Sequence, residues 1–232
     1  MTRSNLADSA MFHLRGKFIV FDGGEGCGKS TQAAMLQTAL QQAGVPTLLV
    51  RDPGSTHIGE QIRAILLDPQ HHRMSMRCEM LLYMAARAQM MSQIVQPALE
   101  QGRAVVSDRF ISSTLAYQLG GDGLTEADIL AVGQVAIDKR WPDMTIILDL
   151  PVSESNARAR PKFTALPDDP IGGAEKDRIE LRSMEYHEKV RENYLRQSKI
   201  HRGNYRVVDA SREPQQVHAE VMRLLSSLKS RP

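Results

Sequence analysis

The stretch FDGGEGCGKST, residues 21–31, follows the apolar run KFIVF at 17–21 and precedes a helical pattern. Gly23, Gly28, Lys29 and Ser30 fit the spacing G-x-x-x-x-G-K-[ST], and a strand before it with a helix after it is the context that spacing requires. Glycines let the loop turn its backbone N–H groups inward, and the helix that begins near Lys29 adds the positive end of its dipole. Lys29 can bridge the terminal phosphates of a nucleoside triphosphate, and the Ser30 hydroxyl can ligate Mg2+. The whole loop, Gly23, Gly24, Glu25, Gly26, Cys27, Gly28, Lys29, Ser30 and Thr31, is therefore assigned to a nucleoside triphosphate. Such a loop sits at a strand end in an α/β sheet, which already narrows the fold.

The rest of the chain agrees. Short apolar runs at 17–21, 46–50, 104–107, 144–150 and 205–209 read as strands buried on both faces. Between them lie helical patterns at 29–43, 58–67, 75–99, 125–138, 152–160, 178–200 and 213–228. With right-handed crossovers this predicts an open, doubly wound, five-stranded parallel sheet with helices on both faces. A length of 232 residues favours one domain, here 17–232, with 1–16 as a disordered leader that lacks the continuous apolar core of a signal peptide. The segment RPKFTALPDDPIGGAEK at 160–176 breaks the pattern, and its prolines and Gly pair predict a long loop. It is read as a mobile lid over about 158–177.

Three further clusters bear on the acceptor. RDPGST at 51–56 follows the second strand, where open sheets bind ligands, and Arg51 there can clamp a second phosphate. A plain turn would leave the same signature. In SDRFISSTLAYQ at 107–118, Asp108 is placed to hold Mg2+ or its waters and Arg109 to reach a phosphoryl group, the alternative being a structural ion pair. Glu79, Tyr83 and Arg87 recur every four residues along one helix face, where a ring can stack on a flat base and a guanidinium can donate to its carbonyl edge. The alternative makes Tyr83 core filler and Arg87 a solvated charge. Glu25, odd in a loop for anions, suits a sugar hydroxyl or else faces solvent. Cys27 lies before a helix N-terminus, where a thiolate is electrostatically favoured, the alternative being an inert small residue that fills the loop.

Charge and cysteine content exclude other classes. A formal net charge of +2 argues against nucleic acid and an acidic membrane surface as partners, and no run approaches a membrane span. Two unspaced cysteines fit a reducing, cytoplasmic compartment.

Together GGEGCGKST, RDPGST, DRFISSTLAYQ, DRIE (177–180) and VVDAS (207–211) resemble the bacterial thymidylate kinases, in order and from Lys17 onward. The resemblance implies a dimeric phosphate-loop kinase fold and transfer of the γ-phosphoryl of ATP to dTMP, giving dTDP for dTTP synthesis. It implies that Arg51 and Arg109 hold the dTMP phosphate, Tyr83 stacks on thymine and Arg87 contacts it. Thr114 would meet the thymine N3 edge, Tyr117 would crowd the ribose 2′ position, and Glu25 would lie near the 3′-hydroxyl. The turn at 209–211 would lie against adenine. Asp177 and Glu180 would orient Mg2+-bound water or the lid. In this family a catalytic cation comes from the phosphate loop or the lid. Gly24, Gly26 and Cys27 carry no charge, so Arg158 or Arg160, with Lys162 behind them, is expected to supply it beside Lys29 and Arg109. The chain departs from the family at Asp52-Pro53-Gly54-Ser55 for Glu-Pro-Gly-Gly, at Tyr83 for Phe, at Leu119 for Gly, and in the longer lid. A kinase for another nucleoside monophosphate such as dUMP stays open, and a regulatory GTPase is disfavoured because N-K-x-D is absent.

Overall fold

β1 (Phe18–Asp22), β2 (Thr47–Arg51), β3 (Ala104–Asp108), β4 (Met144–Asp149) and β5 (Tyr205–Asp209) form one five-stranded sheet in the order β2-β3-β1-β4-β5, with every pair parallel. The computed structural model describes residues 11–158, 177–201 and 203–229. β1 is buried along its whole length, whereas the edge strands β2 and β5 expose Leu49 and Val207 in part. A buried parallel strand needs apolar side chains on both faces, which is why the central runs lack alternation.

Successive residues of β1 feed opposite cores. Ile19 and Phe21 pack with Leu36 and Leu40 of α1 (Lys29–Gln42) and with Val217, Val221 and Leu225 of α9 (Pro214–Leu225). Phe18 and Val20 pack with Met80 and Met84 of α3 (Met76–Met90), Ile111 and Leu115 of α5 (Ile111–Tyr117), and Ile129 of α6 (Glu126–Ala136). Each such fully buried side chain contributes about 1.5–3 kcal/mol. α2 (His57–Leu67) starts on a Thr56 cap, and α6 on a Thr125–Asp128 capping box. β1 is flanked by β3 and β4, so the loops after β1 and β3 open into the crevice where the strand order reverses.

The structure differs from expectation in several places. The leader gives way to structure before residue 17: Phe12–Leu14 form a 3-10 turn, Leu14 is buried, and His13 bonds the Leu225 carbonyl at 3.1 Å. Residues 1–10 lie outside the described ones. The helix expected over 75–99 passes through a π turn, Met91–Val95, before α4 (Gln96–Glu100). Pro97 explains this, since its ring would clash with the carbonyl four residues back in a regular helix and a wider turn relieves it. α5 was not foreseen. α8 (Met184–Ile200) begins on a Ser183 cap, later than 178, because Asp177 Oδ1 accepts the N–H groups of Ile179 and Glu180 at 2.9 Å each and closes a turn there. α7 (Val152–Arg158) matches the described part of its expected span. Arg160, Lys162 and most of the expected lid lie outside the described residues.

Candidate active site

The phosphate loop joins β1 to α1 and has the backbone its glycines allow. Gly23 has φ +137°, and a Cβ there would lie 2.4 Å from the Leu148 carbonyl oxygen, so no other residue fits without displacing β4. Gly28 caps α1 with φ 93°. Lys29 is buried and its ammonium donates to the carbonyls of Gly24 at 2.6 Å and Gly23 at 3.3 Å. Ser30 and Thr31 are exposed on the first turn of α1. Cys27 is buried, and burial raises its thiol pKa despite the opposing charges of Lys29 and Arg109. This favours the inert small residue over the reactive thiolate, because desolvation outweighs the attraction of the two cations.

Ser30 Oγ donates to Asp108 Oδ2 at 2.6 Å, which joins the loop to the end of β3. The two oxygens the sequence assigned to Mg2+ are thus adjacent. A hard cation prefers oxygen donors, and Mg2+ typically takes one or two from protein and the rest from phosphates and water, so this pair suits it. Among the described residues, no group of three or more His, Cys, Asp or Glu side chains is arranged to hold a metal by itself.

Asp22, at the end of β1, was not singled out by the sequence reading. It is fully buried, and its Oδ1 accepts from Tyr194 OH at 2.6 Å, Ser113 Oγ at 2.7 Å and the Gly23 N–H at 3.0 Å, while Oδ2 accepts from Ser112 Oγ at 2.5 Å. Beside it Arg109, held at φ 73°, pairs with Glu25 and donates to Gly23 O at 3.3 Å and Ser113 Oγ at 3.2 Å. Its carbon lies 5.3 Å from the centre of the Tyr117 ring. Burial works against the Arg109 charge, yet Glu25, Tyr117, Tyr194 and Asp22 raise its pKa. The Arg109–Glu25 pair therefore stands where the phosphate loop meets a second cavity.

That cavity is an open cleft beside the loop. Glu25, Tyr83, Arg87, Arg109, Thr114 and Tyr117, six of the seven residues assigned to the acceptor, line it. Arg87 is buried and bonds Asp52 Oδ2 at 2.5 Å, Phe110 O at 3.1 Å and Thr114 Oγ1 at 3.2 Å. The solvated-charge account of Arg87 is excluded by this burial. Tyr83 is half-buried, and burial, seconded by Glu79, raises its pKa. Arg51, the seventh residue, is not in the lining and pairs with Glu60 of α2 at 3.1 Å. Asp52, Arg63, Ser113, Gln118 and Asp177 also line the cleft and were missed or assigned elsewhere. Asp52 and Gln118 stood inside quoted motifs, so proximity to Arg51 and Tyr117 was the available signal. Arg158 donates to the carbonyls of Ala210 at 2.8 Å and Ser211 at 2.9 Å, beside the turn after β5.

A phosphate loop at the end of the central strand, next to a cleft with a buried arginine, two tyrosines and a second arginine, defines a phosphate-loop nucleotide kinase of the doubly wound α/β class. Residues 21–221 match the family described as thymidylate kinase. The chain belongs to the thymidylate kinase family. It is 41% identical over 204 residues to thymidylate kinase of Trichlorobacter lovleyi, covering 88% of this chain and 94% of that one. It is 39% identical over 215 residues to the thymidylate kinase of Nitratidesulfovibrio vulgaris, covering 93% and 98%. A crystal structure of thymidylate kinase from Ehrlichia chaffeensis superposes with a TM-score of 0.68 at 28% identity, over 90% of this chain and 98% of that one.

Proposed function

We propose that this chain transfers the γ-phosphoryl group of ATP to dTMP, giving dTDP and ADP for dTTP synthesis. The observation that carries the reading is the adjacency of two sites, the phosphate loop around Lys29 and the acceptor cleft, with Arg109 bonded to both Gly23 and Glu25 where they meet. Phosphoryl transfer is governed by positioning and charge neutralisation rather than covalent chemistry. Two anionic phosphates must approach, so cations have to stand between them.

Lys29 and the N–H groups of the loop take the donor phosphates, and Arg109 takes the acceptor phosphate, with Arg51 joining it by turning from Glu60 at the edge of the cleft. Ser30 and Asp108 are the residues that would hold Mg2+, which neutralises developing charge on the donor phosphates when bound. Arg87, fixed by Asp52 and Phe110, donates to the carbonyl edge of the base, with Tyr83 as stacking ring and Thr114 beside it. Tyr117 and Glu25 flank the sugar. The Tyr117 hydroxyl has its pKa raised by burial, so it stays neutral and acts by shape and hydrogen bonding.

A homodimer working in the cytoplasm, with no nucleic-acid partner, fits the family resemblance and the net charge of +2. No described helix is long and apolar enough to cross a membrane. The test is ADP release from ATP and Mg2+ with dTMP, dUMP, UMP, CMP, AMP, GMP or no acceptor. dTMP should be consumed far faster than the rest. Equal use of dUMP would move the reading to a less selective kinase, and hydrolysis independent of any acceptor would overturn it.

A further inference from the structure

Glu79 is fully buried on α3, yet it does not line the acceptor cleft. Its Oε1 accepts from Gln118 Nε2 at 2.7 Å. Its Oε2 accepts from both Arg178 and Arg182, the latter at 2.6 Å. One carboxylate thus collects three donors from two distant parts of the chain. We propose that Glu79 is a positioning residue for the acceptor wall, holding Gln118, Tyr117 and the stretch from Asp177 to Ile179 in the geometry that dTMP requires; the inference rests on the dTMP kinase reading above.

Each donor leads to a lining residue. Gln118 lines the cleft itself. A carboxylate only accepts, so the Gln118 amide must turn its NH2 toward Glu79 and its carbonyl oxygen away. That Oε1 is buried with no hydrogen-bond partner among the described residues. Arg178 stands between Asp177 and Ile179, both in the lining, and its own backbone N–H and Nε donate to the carbonyls of Leu67 at 3.1 Å and Leu66 at 2.8 Å. Arg182 pairs with the Tyr186 hydroxyl and stacks 4.6 Å from that ring, and Tyr186 OH donates to the Tyr117 carbonyl at 2.8 Å. This part of the cleft wall is therefore strung on a single charge.

Charge logic says how the device fails. Glu79→Gln keeps the shape but removes the negative charge, which leaves two guanidinium groups side by side in a buried site. Their repulsion splays the Arg178 and Arg182 arms, and the Gln118 amide is no longer forced into one orientation. The phosphate loop shares none of these bonds, so the donor site should be untouched.

The test is steady-state kinetics of Glu79→Gln with dTMP and ATP varied separately, alongside a thermal melt. We expect the KM for dTMP to rise about tenfold or more and the KM for ATP to stay within about twofold, the signature of a misplaced acceptor. A merely structural role would lower the melting temperature and the active fraction without splitting the two KM values, and that result overturns the proposal. Should Glu79→Gln fail to fold, Arg182→Met decides: its side chain is partly exposed, and it leaves Glu79 paired with Arg178. A smaller rise confined to the dTMP KM supports the proposal, and no change removes it. A wild-type enzyme inactive on dTMP would remove the functional reading and this inference with it. An active wild type with an unaltered Glu79→Gln removes this inference alone.

Discussion

Tyr194 OH donates to Asp22 Oδ1 at 2.6 Å across 172 residues of sequence, and so fastens the middle of α8 to the end of the central strand. The same oxygen takes the Gly23 N–H, so the bond reaches the first residue of the phosphate loop. Burial, with Asp22 next, pushes the Tyr194 pKa well above its ordinary value of 10.0, and the hydroxyl remains a donor at neutral pH.

Tyr194→Phe should therefore cost stability as well as precision in the loop. Loss of one donor to a buried carboxylate costs about 1–3 kcal/mol. The remaining donors, Ser112, Ser113 and Gly23, keep Asp22 from being orphaned, so the lower half of that range is expected. The urea midpoint reads it directly; an unchanged midpoint would mean that the bond contributes nothing net.

Much of this site was legible because its signals are local. Gly23 to Ser30 lie in one loop, and Tyr83 and Arg87 lie one helical turn apart on α3, so spacing alone places them. The strands were legible because burial on both faces leaves uninterrupted apolar runs. Asp22 and Glu79 were not legible in role, because their partners arrive from far along the chain and no pattern in a window reports that. Glu79 shares a face with Tyr83 and Arg87 as its spacing requires, but it turns to Arg178 and Arg182 rather than to the cleft. α5 was missed for a different reason: ISSTLAY is rich in β-branched and hydroxyl residues, weak helix formers, and tertiary burial of Ile111 and Leu115 overrides that preference.

Lys29→Ala should abolish phosphoryl transfer in a folded protein. The ammonium is bonded inside the loop at 2.6 Å to Gly24 O, and loss of a cation at the transferring phosphates costs ~10³-fold or more in kcat. The measurement is kcat together with a cooperative melt. Near-normal turnover in a folded variant would remove Lys29 from the chemistry.

Arg87→Ala should raise the KM for dTMP by roughly 10- to 150-fold, corresponding to 1.5–3 kcal/mol for a lost charged donor, and leave the KM for ATP nearly unchanged. It should also destabilise the fold, because Asp52 is left buried without its cation. Burial already raises the Asp52 pKa from 3.8, with Arg87 opposing. A folded carboxyl pKa above the unfolded one means stability that is full below the unfolded pKa and is lost as pH rises through the folded pKa. Removing Arg87 raises the folded value further, so the deficit of Arg87→Ala should shrink on acidification toward pH 3.8. A deficit independent of pH would show that Asp52 does not carry it.

Iodoacetamide should modify Cys78 and spare Cys27. Cys78 is exposed on the first turn of α3, whereas Cys27 is buried with a raised thiol pKa. Alkylation requires the thiolate and access to it, and Cys27 lacks both. Mass spectrometry after partial labelling checks the order. Rapid labelling of Cys27 that ATP prevents would instead support the reactive loop thiolate that its place before α1 allows.

Arg158 decides where a cation from the end of α7 acts. The sequence resemblance gives it to the transferred phosphoryl, and the structure finds its guanidinium on the carbonyls of Ala210 and Ser211. These two bonds orient the turn after β5, where Ser211 Oγ and the Ser211 N–H both close on Asp209 Oδ1 at 2.6 and 2.9 Å. If that turn bears on adenine, Arg158 shapes the base site for the donor. Ground-state contacts lower KM without raising kcat, whereas a contact made only in the transition state does the reverse. Arg158→Ala should then raise the KM for ATP several-fold while kcat changes less. Arg158→Lys should rescue little, since one ammonium does not reproduce a fork across two carbonyls. A fall in kcat with both KM values intact would return Arg158 to the phosphoryl group.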